Sequence, residues 1–312
     1  MKTTSAILTT DALTIGYPMA GKPALVVAGP ADLKLFRGEL ICLLGPNGSG
    51  KSTLVRTLSG IQPALSGNIN IGKKIISSIH PLETAKQVSI VLTDKVEVGN
   101  LSAYSLVALG RYPYTGWFGR LSKLDEEKVR WAMEVTDTVI YAKRFVNTLS
   151  DGERQKVMLA RALAQDTSLI ILDEPTAHLD LPNRVELFGL LRRLARQTQK
   201  AILLSTHELD LALQAADKLW LMHPSRPLQT GVPEDLVLNG AFEATFQKEG
   251  FYFDRTTGTF KMRNLGNKTI RLVGEGTAVF WTQRALEREG FTVTQEGETS
   301  ACVEVRQVSS RD

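Results

Sequence analysis

Gly45-Pro46-Asn47-Gly48-Ser49-Gly50-Lys51-Ser52-Thr53 decides how the rest of the chain is read. It fits G-x-x-x-x-G-K-[ST], a pattern whose glycines let the backbone curl until successive N–H groups point inward at phosphate oxygens. The flanks agree with that reading. Gly38 to Leu44 (GELICLL) is a short apolar run closed by glycine, which predicts a buried strand, and Lys51 to Gly60 predicts a helix. A helix opening at Lys51 adds the partial positive charge of its N-terminus. Lys51 is expected to reach the β- and γ-phosphates, and Ser52 to ligate Mg²⁺. A glycine turn that merely joins a strand to a helix would have no need of Lys51.

Working outward, Leu169-Ile170-Ile171-Leu172-Asp173-Glu174-Pro175 reads as a strand ending in two carboxylates. Adjacent acids at a strand tip aim differently, so Asp173 suits the Mg²⁺ side and Glu174, beyond the metal's first shell, suits a general base that polarises water. A third apolar run, Ala201 to Leu204, stops at Ser205, Thr206 and His207. Between these two runs, Leu187, Leu190, Leu191 and Leu194 recur at helical spacing within Pro182 to Arg196. Strand, crossover helix and strand predict a largely parallel sheet with polar chemistry at its carboxyl ends.

Composition narrows the class. The chain has 312 residues, 43% hydrophobic and 22% charged, which excludes disorder and fibres and leaves room for one large core and a smaller appended unit. A net charge of +4 is too mild to argue for nucleic acid. Cys42 and Cys302 lie far apart without C-x-x-C spacing, so a disulfide framework and a zinc site are not expected, and a reducing cytoplasm fits. No stretch has the roughly 18 consecutive apolar residues of a membrane span, so any service to a membrane would run through partners.

Between the two nucleotide motifs stands Leu149-Ser150-Asp151-Gly152-Glu153-Arg154-Gln155, which resembles the L-S-G-G-Q signature of the ABC ATPase family. In isolation Ser150 would be only a helix N-cap; its order and company point to the family. Ala177-His178-Leu179-Asp180 resembles that family's D-loop, His207 its switch histidine, and Tyr17 the aromatic that stacks on adenine. The resemblance covers about Ile7 to Leu238. It implies an α/β P-loop NTPase with a mixed, largely parallel sheet, ATP and Mg²⁺ as cofactors, and a head-to-tail dimer with a second copy of the chain. In such a dimer Ser150 and Gly152 of one copy clamp nucleotide held by residues 45–53 of the other, with Asp180 nearby.

Two departures from the family stand out. Its Q-loop glutamine falls near Val91-Leu92-Thr93-Asp94, where Thr93 is too short to give the same reach to metal; a bridging water or Asp94 would have to substitute. Asp151 and Glu153 add negative charge beside the expected γ-phosphate, a cost unless both side chains turn outward.

Residues 101–146 read as a helical insert, with Asp125, Glu126 and Glu127 favouring a helix start. Within it, Val107-Ala108-Leu109-Gly110-Arg111-Tyr112-Pro113 is similar to a stretch in ATPases of siderophore, haem and vitamin B12 importers. That similarity implies integral membrane permease partners, a substrate-binding protein upstream and a place at the inner face of the cell membrane. Arg111, Tyr112, Tyr114, Trp117 and Phe118 are expected to form a contact patch for the permease, with local core packing the alternative for the aromatics. The rival function is a soluble ABC ATPase without transport, such as one serving iron–sulfur cluster assembly. A division into an ATPase domain, residues 1–240, and a small α+β module, residues 241–312, follows from a change near Gly240 to glycine-rich, strand-like sequence. In the module, a helix Ala278–Glu289 is expected to pack Ala278, Val279, Trp281, Ala285 and Leu286 on three strands. The loop Gly274-Glu275-Gly276-Thr277 is more simply a turn than an anion site.

Overall fold

The computed structural model describes residues 6–92, 99–116, 119–248, 250–262, 268–296, 299 and 301–306. They belong to two compact units, Met1–Phe246 and Gln247–Asp312.

The first unit opens with β1 (Ala6–Tyr17), β2 (Leu25–Ala31), β3 (Lys34–Phe36) and β4 (Leu40–Leu44), followed by helix α1 (Lys51–Leu58), β5 (Ser66–Ile71), β6 (Lys74–Ile75), α2 (Pro81–Ala85) and β7 (Val88–Val91). The insert carries α3 (Ala103–Ala108), a 3-10 stretch Leu109–Tyr114 and α4 (Lys123–Val135), and leads into α5 (Asp151–Ala164). Then come β8 (Leu169–Asp173), α6 (Leu181–Thr198), β9 (Ala201–Ser205), α7 (Leu209–Ala215), β10 (Lys218–His223), β11 (Arg226–Gly231), α8 (Pro233–Leu238) and α9 (Ala241–Phe246).

These strands make two sheets. The larger has the order β11-β10-β4-β9-β8-β7, parallel from β10 to β7 with β11 antiparallel at one edge. All five residues of β4, β8 and β9 are buried, as expected of parallel strands covered on both faces. The other sheet is antiparallel, β2-β1-β5-β6, with β3 also on β1. One core cluster joins them: Leu8, Leu13 and Ile15 from β1, Leu54 and Leu58 from α1, and Trp220 from β10. Helix α1 is therefore buried between two sheets, and the loop that precedes it is held from both sides.

Helix starts follow local chemistry. Ser122 and Asp125 form a reciprocal capping box at α4, and Asp180 accepts the Asn183 N–H to cap α6. In the insert, Arg111 is only 4% exposed: its Nε donates to Asp125 Oδ1 at 2.8 Å, its Nη1 donates to the Ala164 carbonyl at 2.8 Å, and its guanidinium lies 3.9 Å from the Tyr114 ring centre. The expected contact patch is corrected accordingly. Arg111 ties α4 to the end of α5, because a guanidinium so enclosed needs a carboxylate and a carbonyl rather than a partner protein. Leu109, Tyr112 and Tyr114 are the exposed large apolar side chains of that stretch, while Trp117 and Phe118 lie outside the described residues.

After Gly240 the chain is helical before it is strand-like. Phe242 of α9 is fully buried and packs near Phe246, so the first unit ends at Phe246. The second unit consists of a hairpin, β12 (Phe251–Asp254) with β13 (Thr259–Met262), and a parallel sheet β15-β14-β16 built from β14 (Lys268–Val273), β15 (Phe291–Thr294) and β16 (Cys302–Glu304). Helix α10 (Thr277–Arg288) connects β14 to β15 and buries Val279. Trp281 is 62% exposed, which corrects the expectation that it packs on the strands; two positions from Val279 is more than half a helical turn.

Candidate functional site

The loop of residues 45–50 leaves the carboxyl end of β4, at the centre of the parallel sheet. Its glycines are required by space as well as by dihedral angle. A Cβ on Gly45 would lie 2.2 Å from the Met222 carbonyl oxygen, and one on Gly50 (φ 99°) would lie 2.2 Å from Val27 Cγ1. Gly48 has φ 77° with open space around it. Pro46 and Asn47 form the outer bend, and Ser49 Oγ is buried without a hydrogen-bond partner. An orphaned buried hydroxyl in a cradle of turned backbone is a place for an acceptor from outside the chain.

Lys51, 5% exposed, folds back over the loop. Its Nζ donates to the Gly45 carbonyl at 3.0 Å and the Pro46 carbonyl at 3.4 Å, and it stands 4.0 Å from Glu174 Oε1. Burial pushes its ammonium below the ordinary lysine range, and the charges of Glu174 and Asp173 pull it back up. Strand β8 delivers both acids. Asp173 is buried and accepts a 2.6 Å hydrogen bond from Ser205 Oγ on neighbouring β9. Glu174 sits just beyond the strand in a left-handed conformation, φ 48°, with its N–H donating to the Ser205 carbonyl at 3.0 Å. His207, just past β9, places Nε2 2.7 Å from Glu174 Oε1. Residues widely separated in sequence thus meet at the carboxyl ends of three adjacent strands, β8, β9 and β4.

Tyr17, at the end of β1, hydrogen-bonds through its hydroxyl to Thr53 Oγ1 at 3.0 Å, so an aromatic ring stands beside the first turn of α1. Ser52 lies in that turn. Among the described residues no three His, Cys, Asp or Glu side chains are grouped as a metal cage. Mg²⁺ takes one or two protein oxygens and completes its shell from phosphates and water, so the hydroxyl of Ser52 and the carboxylate of Asp173 fit it without such a cage. Thr93 and Asp94 lie outside the described residues.

A second cluster surrounds the start of α5. Ser150 is its N-cap, donating its N–H to Glu153 Oε2 at 2.8 Å while its Oγ accepts the Glu153 N–H at 3.3 Å. Gly152 allows the turn to touch the α6 start, since a Cβ there would lie 3.1 Å from the Asn183 amide. Asp180 bonds that same Asn183. The two acids that break the signature pattern are both engaged: Asp151 pairs with Arg154, and Glu153 with Arg144. Sequence reasoning missed Ser205, the donor that orients Asp173, although its place at the tip of the strand next to β8 was open to inspection. Arg144 was missed as well, because nothing in the sequence order sets it against Glu153.

A phosphate cradle, a lysine, two strand-tip acids and a histidine on this sheet define a P-loop ATPase. Residues 29–177 match the family model described as ABC transporter, and residues 267–312 match the one described as iron ABC transporter C-terminal domain. The chain is 37% identical to an uncharacterized ABC transporter ATP-binding protein of Methanocaldococcus jannaschii, over 87% of this chain and 93% of that one. It is 32% identical to the iron(3+)-hydroxamate import ATP-binding protein of Bacillus subtilis, over 77% of this chain and 87% of that one. Among solved structures it is similar to an inward-facing putative metal-chelate type ABC transporter, with a TM-score of 0.67 and 26% identity, over 78% of this chain and 89% of that one. The chain belongs to the ABC transporter ATP-binding family and is a transport-coupled, ATP-binding ATPase. Among the described residues no helix is long and apolar enough to cross a membrane.

Proposed function

We propose that this ATPase drives import of a ferric siderophore or related metal chelate through a separate permease on the inner face of the cell membrane, with a substrate-binding protein upstream. The import assignment is supported by the likeness to the hydroxamate import ATPase and by the iron-type C-terminal match. The hydrolytic half rests on one observation: Lys51, Asp173, Glu174 and His207 meet at the carboxyl ends of adjacent parallel strands.

In this reading the backbone of residues 45–50 and Lys51 bind the ATP phosphates, Thr53 and Ser52 continue the cradle along α1, and the Tyr17 ring takes the adenine. Ser52 and Asp173 would hold Mg²⁺, which when bound would supply charge neutralisation to the phosphates. Glu174 orients the attacking water and accepts its proton at a carboxylate oxygen, while His207 fixes that carboxylate and reaches toward the γ-phosphate. Ser150 and Gly152 of a second copy complete the site, with Asp180 bracing the signature through Asn183. Lys51 loses its loop carbonyls to phosphate when nucleotide enters, an exchange favoured by greater charge.

Glu174→Gln is expected to keep ATP binding, lower hydrolysis by about 100-fold or more and accumulate an ATP-bound dimer, measured by size-exclusion chromatography with phosphate release. Full turnover by that variant would contradict the assignment. For import, cells carrying the ATPase with its co-purifying permease should take up radioactive iron as a ferric hydroxamate, and Glu174→Gln should stop uptake. A permease that never co-purifies would remove the import reading.

A further inference from the structure

We propose that Arg144 is a positioning residue for the signature serine, a strut that fixes Ser150 and links it to the helical insert. The proposal rests on the reading that Ser150 meets nucleotide held by a second copy. The conformation of Ser150 is set by Glu153, whose backbone N–H and one carboxylate oxygen close the capping box. The other carboxylate oxygen of Glu153 accepts from Arg144 Nη1 at 3.1 Å, and Arg144 Nη2 donates to the Thr148 carbonyl at 2.7 Å. One guanidinium fork thus grips the loop on both sides of Ser150. The Tyr141 ring, 5.5 Å away, lies beside the guanidinium.

The same residue anchors the first helix of the insert. The Arg144 carbonyl accepts the N–H of Ala103 at the first turn of α3 at 2.9 Å, and the adjacent Phe145 is bridged to Ser102. A displacement of α3 therefore bears on Arg144, as well as on α5, against which α3 packs directly. Charge gives a second reason for the strut. Glu153 stands where the L-S-G-G-Q pattern has a neutral glutamine, and Arg144 offsets the negative charge this adds at the signature. Asp151 has its own partner in Arg154.

The test is a double-mutant cycle in the full chain, reading steady-state hydrolysis against ATP and against protein concentration, with equilibrium binding of a fluorescent ATP analogue measured separately. R144A is expected to raise the half-saturating ATP concentration for hydrolysis by about tenfold while changing analogue binding to the isolated subunit by less than about twofold. In the E153Q background the same R144A change should cost no more than about twofold, because a neutral amide still accepts the Ser150 N–H. R144K, which keeps charge without the fork, should fall between, and thermal melting checks that each variant is folded. An R144A cost equally large with and without E153Q, or no cost at all, overturns the proposal alone. A parent protein whose specific activity is the same at every protein concentration overturns the dimer reading, and this proposal with it.

Discussion

Glu174 combines a reactive side chain with an uncomfortable backbone. A non-glycine residue at φ 48° costs about 1–2 kcal/mol, and here it turns the carboxylate from the end of β8 toward His207 and Lys51. Glu174→Gly should therefore melt at a higher temperature than the parent in the absence of nucleotide, by roughly 1 kcal/mol of stability, and hydrolyse no ATP. Differential scanning calorimetry with a phosphate-release assay checks both halves. The reverse holds at Gly45, where a methyl group would run into the Met222 carbonyl. Gly45→Ala should destabilise by about 1–3 kcal/mol and weaken ATP binding, as read by urea unfolding and nucleotide titration. The roles of these two residues were legible in the sequence because G-x-x-x-x-G-K and a strand ending in two acids each name a geometry. Arg111 was misread for the opposite reason: a basic residue among tyrosines reads as surface, and only the arrival of Asp125 and the Ala164 carbonyl from elsewhere in the chain encloses it.

At the level of elements, the insert is held by that same pair. Burial acts to raise the Asp125 carboxyl, but the Ser122 hydrogen bonds and the Arg111 guanidinium outweigh it and hold the group below the ordinary carboxylate range. Arg111→Met, which strands a buried carboxylate, should cost about 3–5 kcal/mol, with faster hydrogen exchange in α4 and at the end of α5. Adding Asp125→Leu should recover much of that loss. In the second unit, the Lys261 hydrogen bond holds Asp254 down from an ordinary 3.8 to about 2, linking β12 to β13 beside the turn. A folded value below the unfolded one stabilises in full above pH 4 and is lost as pH falls toward 2. Amide exchange in β12 and β13 should accelerate across that window, and Asp254→Asn should flatten the dependence. Elements with one dominant signal were readable from sequence: the helix and three strands expected in the module are α10 with β14, β15 and β16. The antiparallel sheet was not, since β1 carries bulges around Asp11 to Thr14 and a left-handed Ala12 that break its alternation.

Across the whole chain, the sheet order gathers the site from distant segments, and the packing of α9 decides where the first unit ends. A protein stopped after Phe246 should remain folded and bind ATP, whereas one stopped after Gly240 loses the buried Phe242 and should unfold at a lower urea concentration. That difference was hidden in the sequence because α9 is too short to show a helical period, and the glycine before it looks like a boundary. The order β10-β4-β9 has a further consequence during synthesis. The P-loop strand emerges early, but its neighbour on one side ends roughly 180 residues later, a wait on the order of ten to forty seconds at about 5–20 residues per second on the ribosome. Throughout that interval the nascent chain carries an apolar segment, Leu-Ile-Cys-Leu-Leu, with open edges. Soluble yield should therefore depend on holdase chaperones at the exit tunnel rather than on the stability of the finished molecule.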